Sequence, residues 1–444
     1  MSNPDTQDIL ATPESASKRI VSLDQFRGYT VLGMFLVNYL GSFAACPKIL
    51  LHTNDYISYA DTIMPQFLFA VGFSFRLTFG RRARTQGLAS ANWHMLRRML
   101  GLVLISMVIY TAGAPADTWA GLKEIGLGGV LPGLLKRDWF QTLMHIAITS
   151  LWILPVIRAG AAVRIAWMVG SGALHVGLSY WFAYEWVNSS PNGIDGGPLG
   201  FLTWTIPAIL GTLACDAVAG ANGRPRLWRM VAWSFLIMAI GWGFSCGTRM
   251  YDVPPSMVEE LKGQKLASDP VFPPIAEIKT HFEKDDRSLL LAEPPFVPPP
   301  HSLVPPELKE GQTLGRGGFI GWLLDPQYRS ENHADWYRKW NYWMMSQRGG
   351  TLSYLVFSGG FSLFVYVLFY VACDIFGWSL GIFRSFGVNA LAAYILHGMV
   401  GSAIKPFVPK DVPGWYMTAS VLLFFVVNWV IIRHLEKQKI FLKL

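Results

Sequence analysis

The chain of 444 residues is 52% hydrophobic and 14% aromatic, with a mean hydropathy of +0.32, and only 15% of it is charged, against about 25% in ordinary soluble domains. These figures exclude a soluble globular protein and describe an all-α, polytopic membrane protein. The formal net charge of +8 does not point to nucleic acid, because the basic residues fall in short clusters between apolar segments, as positive-inside topology requires.

Residues 1–17 are polar and lack the apolar core of a signal peptide. They read as a disordered cytoplasmic tail, which makes the first helix a retained signal-anchor. An N-terminal membrane bundle of about seven helices follows over 18–246. Ser22 precedes Gln25 by three positions, which predicts a capping box opening helix one at 26–43. Asp24 and Arg27 fall one turn apart on one face, either as supporting polar groups or as an interfacial cap and surface ion pair. Asn38 lies roughly 18 Å along this helix at 1.5 Å per residue, past the midplane of a ~30 Å core. An amide at that depth either bridges two helices or belongs to a functional site. The loop that follows carries His52.

Helix two, at 59–79, opens on a second capping-box pattern, Ser58 to Asp61, and contains Pro65. Asp61 either closes the cap or orients and charges His52. Arg81, Arg82 and Arg84, then Arg97 and Arg98, bracket the turn into helix three at 96–112. The glycine-rich segment 119–135, interrupted by Pro132, reads as re-entrant or interfacial. Helices four to seven follow at 139–157, 163–186, 199–218 and 227–246.

An insertion over 247–349 interrupts the apolar pattern. Its proline runs favour extended chain. Its aromatic last third suits either a lid or sugar-binding surface or an interface-hugging helix. The C-terminal bundle, 350–444, has helices at 352–375, 383–404 and 416–432 and a basic tail. Ten spans place both termini on one side, and the lysine and arginine bias makes that side cytoplasmic. His52 and the insertion then face outward. Counting 119–135 as a full span would invert everything after it. Cys46, Cys215, Cys246 and Cys373 have no metal-type spacing, so no metal site is expected; Cys46 and Cys246 fall near the same outer surface, which leaves a disulfide open.

SLDQFRGYTVLGMFLVNYLG, a loop histidine and YADTIMPQFLFAVGFSF together resemble the signature of the heparan-α-glucosaminide N-acetyltransferase family and its bacterial relatives. That signature runs S-[LV]-D-x-F-R-G, F-V-N-Y-x-G, then H…ADLVFPWFLFIMG. GPLGFLTWTIPAILGTLACD and FRSFGVNALAAYILHGMVG resemble its mid-chain and late helices. The resemblance implies transfer of an acetyl group from cytosolic acetyl-CoA to a sugar amine across the membrane. It assigns Asn38 as the essential membrane asparagine, His52 as the catalytic histidine, Asp61 as the acid opening the next helix, and Asn389 and His397 as a late-helix polar pair. The loop before His52 is longer than in the family, and its W-N-G is replaced by Thr53-Asn54-Asp55. These departures bear on the acceptor more than on the chemistry.

The expected partners are therefore acetyl-CoA, a carbohydrate acceptor and the bilayer of a bacterial inner membrane, with a homodimer left open. His52 would act as general base or transient acetyl carrier and Asn38 as donor to the thioester carbonyl. Arg81, Arg82, Arg84, Arg97 and Arg98 would hold the phosphates of the co-substrate, although positive-inside topology alone also places arginines there. Two rivals are an O-acyltransferase of cell-envelope polysaccharide, whose family has histidine where this chain has Asn38, and a transporter, for which no internal repeat is found.

Overall fold

The computed structural model describes residues 20–53, 56–110, 113, 115–220, 225–251, 269–272 and 341–442. The predicted tail at 1–17, the proline-rich part of the insertion and most of its aromatic stretch lie outside them. All regular structure among the described residues is helical. The main helices are α1 Val21–Leu40, α2 Tyr59–Gln86, α3 Leu88–Ile109, α4 Trp119–Gly133, α5 Thr142–Ile153, α6 Ala161–Trp181 and α7 Ala183–Asn188. The chain continues through α8 Phe201–Ala219, α9 Leu227–Ser245, α10 Leu352–Tyr370, α11 Gly381–Val388, α12 Ala390–Ile404 and α13 Gly414–Lys437.

Among the described residues, six helical segments are long and apolar enough to cross a membrane, or up to eight if each of two sharply bent helix pairs is one span. Their burial separates centre from periphery. The best apolar windows of α2 and α8 are 61% and 72% buried, against 22% for α6 and 28% for α9 and α13. The outer helices turn large apolar side chains outward, among them Trp228, Trp233 and Ile240 on α9 and Leu422, Val426 and Val430 on α13. So extensive an exposed apolar surface suits lipid.

α2 is the axis. It packs against α1, α3, α5, α8 and α10. Its contact with α8 is close because both helices offer glycine there: a Cβ on Gly72 would lie 1.9 Å from the Ala208 carbonyl oxygen, and one on Gly211 2.0 Å from that of Phe69. Small residues let helix backbones approach in this way. One turn further on, Arg76 of α2 and Arg164 of α6 converge on Asp216 of α8, with Arg76 Nε 2.8 Å from Asp216 Oδ1. Arg164 is 1% exposed and also donates to Thr212 Oγ1 at 2.7 Å.

Several predicted elements need correction. α1 begins at Val21 on an Ile20 cap without a side-chain bond, so Ser22 and Gln25 do not form a capping box. Both lie inside the helix and reach across the bundle, Ser22 Oγ to Tyr366 Oη at 3.3 Å and Gln25 Nε2 to the Leu380 carbonyl at 3.1 Å. The predicted fifth helix ends at Trp181 and resumes as α7. The predicted ninth helix breaks at Asn389, where α11 and α12 meet at 96°. The glycine-rich segment, by contrast, forms α4, kinked at Gly126 with φ +61° and with no buried residue, and its bend of 86° against α5 is that of a broken span or a re-entrant loop. Cys46, Cys215, Cys246 and Cys373 are not joined by disulfides in this structure, and the Cys46–Cys246 pairing left open by the sequence is not made.

The glycine contact makes a direct prediction. Gly72→Ala and Gly211→Ala should each force α2 and α8 apart and cost about 1–3 kcal/mol, the usual range for overpacking. Thermal melting of the detergent-solubilised protein should show both variants well below wild type, with Gly170→Ala, a position open to surroundings, unchanged.

Candidate functional site

The site begins with a helix cap. Ser58, extended at φ −91° and ψ 173°, opens α2, and its hydroxyl accepts from the Asp61 N–H while Asp61 Oδ2 accepts from the Ser58 N–H at 2.9 Å. This is the capping box that the Ser58–Asp61 spacing predicts. The same carboxylate oxygen also accepts from the Thr53 hydroxyl at 3.0 Å and the Thr53 N–H at 3.4 Å. Asp61 Oδ1 remains, and His52 Nδ1 lies 2.9 Å from it. The two readings of Asp61, cap and histidine partner, are thus combined in one side chain, which is 1% exposed. Tyr354 of α10 donates to the Asp61 backbone carbonyl at 2.6 Å and fixes the turn from behind.

With Nδ1 committed to Asp61 as donor, the His52 lone pair sits on Nε2. The imidazole is 48% exposed and faces a cavity of about 60 Å³ that it lines with Asn38, Thr142, Gln347 and apolar neighbours including Ile63 and Phe67. Asn38 is solvent-accessible here, and its amide has no hydrogen-bond partner among the described residues. Desolvation works against a charged imidazole, yet the Asp61 carboxylate outweighs it, helped by Asp195 and Gln347, and the His52 pKa is raised.

Asp195 and Gln347 were not anticipated from the sequence. Asp195 lies between α7 and α8 in a run of left-handed backbone, φ +53° at Asp195 and +80° at Gly196. A Cβ on Gly196 would meet the Gly350 Cα at 3.3 Å and the Gly200 Cα at 2.8 Å, so only glycine lets this loop seat against the segment before α10. The Gly196 N–H donates to the Arg348 carbonyl and Thr203 Oγ1 to the Gly350 carbonyl, at 2.9 and 2.7 Å. Gln347 Nε2 then reaches Asp195 Oδ1 at 2.9 Å. Asp195 is 4% exposed, and burial, reinforced by the charge on Asp61, pushes its pKa up to about 6. The only sequence signal was the pair of glycine doublets, Gly196-Gly197 and Gly349-Gly350, each marking a tight loop.

A second cavity, about 420 Å³, lies toward the other end of α2. Arg27, Arg82, Arg98 and His94 line it with apolar side chains such as Met95, Met99 and Tyr394, and Phe67 belongs to the walls of both cavities. Arg98 Nε is buried there without a hydrogen-bond partner. Of the five arginines predicted to hold phosphate, Arg82 and Arg98 line this cavity; Arg81, Arg84 and Arg97 do not and are exposed, with Arg97 lying over the Trp93 ring. Arg27, expected as a supporting group beside Asp24, feels the Asp24 charge and also lines this cavity.

Asn389 and His397 line neither cavity. Asn389 is buried at the α11–α12 break, donating to the Ile440 carbonyl at 2.9 Å and accepting from the Leu442 N–H at 3.3 Å. It clamps the C-terminal segment. The His397 ring stacks on Phe35 at 5.0 Å, and its Nδ1 bonds the Tyr394 carbonyl. No family model matches the chain, and no curated protein matches it either.

Proposed function

We propose that the protein is a transmembrane acyltransferase that moves an acetyl group from acetyl-CoA, bound at the arginine-lined cavity, to a sugar acceptor arriving at His52 from the opposite membrane face. The observation that carries this reading is the pairing of the two cavities across Phe67. One holds a carboxylate-oriented histidine beside an unpartnered asparagine, the other three guanidinium groups. Asp61 and Arg82 lie near opposite ends of the 28-residue α2, roughly 30 Å apart at 1.5 Å per residue, which is the depth of a hydrocarbon core. Under the ten-span, positive-inside reading the arginines are cytoplasmic and His52 faces outward, in a multi-pass bacterial inner-membrane protein with cytoplasmic termini.

In the reaction, the neutral nucleophile of the acceptor gives its proton to His52 Nε2 as its N or O bonds to the thioester carbonyl carbon. Asn38 donates its amide to the carbonyl oxygen, which gains negative charge. The carbon–sulfur bond then breaks, and the coenzyme A thiolate leaves and takes the proton from His52. Asp61 holds the imidazole in the required tautomer and stabilises its charged form, as in other carboxylate–histidine pairs. A transient acetyl group on His52, discharged to the acceptor in a second step, uses the same residues.

The primary test is transfer of labelled acetyl from acetyl-CoA to glucosamine-ended oligosaccharides by purified protein in liposomes. His52→Ala should lose about 10²–10⁴ in rate, the span of a general base, and Asn38→Ala about 10²–10³, that of an oxyanion donor. A wild type that binds acetyl-CoA but leaves amino sugars untouched would remove the amino-sugar acceptor; one that does not bind acetyl-CoA would remove the enzyme.

The pH profile follows from the sign of the His52 shift. A base must be neutral to act, so kcat/KM should rise with pH through a midpoint above 6.5, the ordinary histidine value. Asp61→Asn removes the largest raising influence, so its residual activity should show a midpoint displaced to lower pH. An unmoved midpoint would mean that His52 is not the titrating base.

Arginine substitutions separate co-substrate binding from topology. Arg82→Ala and Arg98→Ala should each raise the acetyl-CoA Kd by roughly ten- to a hundredfold, matching about 1.5–3 kcal/mol for a charge-assisted hydrogen bond. Arg81→Ala and Arg84→Ala, outside the cavity, should leave it within about twofold. Equal effects at all four positions would favour a diffuse charge bias over a site.

A further inference from the structure

One polar atom at the His52 cavity is unused by that chemistry. Gln347 Oε1 is buried without a hydrogen-bond partner, an arrangement that ordinarily costs about 1–3 kcal/mol. The amide cannot relieve this by turning over, because an ionised Asp195 only accepts hydrogen bonds and holds Nε2 at 2.9 Å. Nor does the fold need the Asp195–Gln347 bond to join these two segments, which are already connected through Gly196 to Arg348 and Thr203 to Gly350. A hydrogen-bond acceptor is thus held on a residue that lines the cavity with His52.

We propose that Gln347, clamped by Asp195, is a positioning residue that accepts a hydrogen from the attacking group beside His52, and that the pair thereby selects a primary amine over a hydroxyl. This rests on the acyl-transfer reading above. A neutral primary amine carries two hydrogens. His52 Nε2 removes one as the N–C bond forms, and Gln347 Oε1 holds the other, which stays on the product amide while coenzyme A departs as the thiol. A hydroxyl has a single hydrogen, given to His52, and leaves Gln347 Oε1 unpaired. Sites built to pair a substrate N–H or O–H reject analogues lacking it for this reason.

The test compares the full-length protein in liposomes on two acceptors, glucosamine-ended and glucose-ended oligosaccharides, with acetyl-CoA affinity measured in parallel. Gln347→Leu should lower kcat/KM for the amine acceptor by roughly ten- to a hundredfold, in line with the cost of an unmade buried hydrogen bond. Transfer to the glucose-ended acceptor should fall by much less, only as far as the lost influence of Gln347 on His52 lowers both acceptors alike, and the acetyl-CoA Kd should stay within about twofold. Asp195→Asn, whose new amide can donate to Gln347 Oε1, should lose amine transfer too, and the double variant should be no worse than Gln347→Leu alone, because Asp195 acts through Gln347. Gln347→Asn, which withdraws the amide by one methylene, answers the same question where the leucine variant fails to accumulate. Equal losses on both acceptors, additive losses in the double variant, or no loss would each overturn the inference while leaving acyl transfer standing. So would a wild type faster on the glucose-ended acceptor. A folded wild type that transfers to neither overturns the acyl-transfer reading on these acceptors and this inference with it.

Discussion

The site depends on one carboxylate. Asp61 terminates α2 by accepting the Ser58 N–H and at the same time holds His52 by its other oxygen. The folding of the first turn of α2 and the orientation of His52 are therefore one event. Tyr354, bonded to the Asp61 carbonyl from α10, ties that event to the C-terminal part of the bundle.

Three loops meet at this turn: the one carrying His52, the left-handed loop at Asp195, and the segment holding Gln347 ahead of α10. Their convergence follows from the packing of α2, α8 and α10 against one another. The glycine contact between α2 and α8 fixes their spacing, and the glycine-on-glycine seating at Gly196 and Gly350 fixes the loops above it. The same α2 carries Phe67 on the wall between the cavities and Arg82 in the lining of the larger one. A single helix thus spans the distance from histidine to arginine, and errors in its register would displace both ends together.

Much of this was legible in the sequence where the signal is local. Long apolar runs mark helices because lipid admits little else, and the Ser58–Asp61 box is a three-residue pattern with its own chemistry. The identical spacing at Ser22 and Gln25 misled because these side chains are claimed by distant partners, Tyr366 and the Leu380 backbone, and the helix runs back past them. The break at Asn389 carries no proline to announce it; its amide is used by the C-terminal segment. Asp195 and Gln347, separated by 152 positions, have no sequence pattern in common. Among the arginines, charge alone ranks five positions equally. Only the packing of α1, α2 and α3 shows that Arg27, Arg82 and Arg98 turn toward one cavity.

The electrostatic balance around His52 explains why two buried carboxylates accompany one imidazole. Burial is the main reason that the Asp195 pKa stands at about 6; the Gln347 hydrogen bond and the charge on His52 oppose the rise, and the charge on Asp61 adds to it. A positive charge on His52 stands beside both carboxylates and is favoured by each of them. Asn38, lining the same small cavity without a partner, offers a neutral donor where the opposite charge would develop. The base and the amide thus share a cavity of about 60 Å³, while the two acids stand buried behind it. Asp195 and His52 titrate as linked groups in such an arrangement, so the protonation of one is set by the state of the other rather than by either side chain alone.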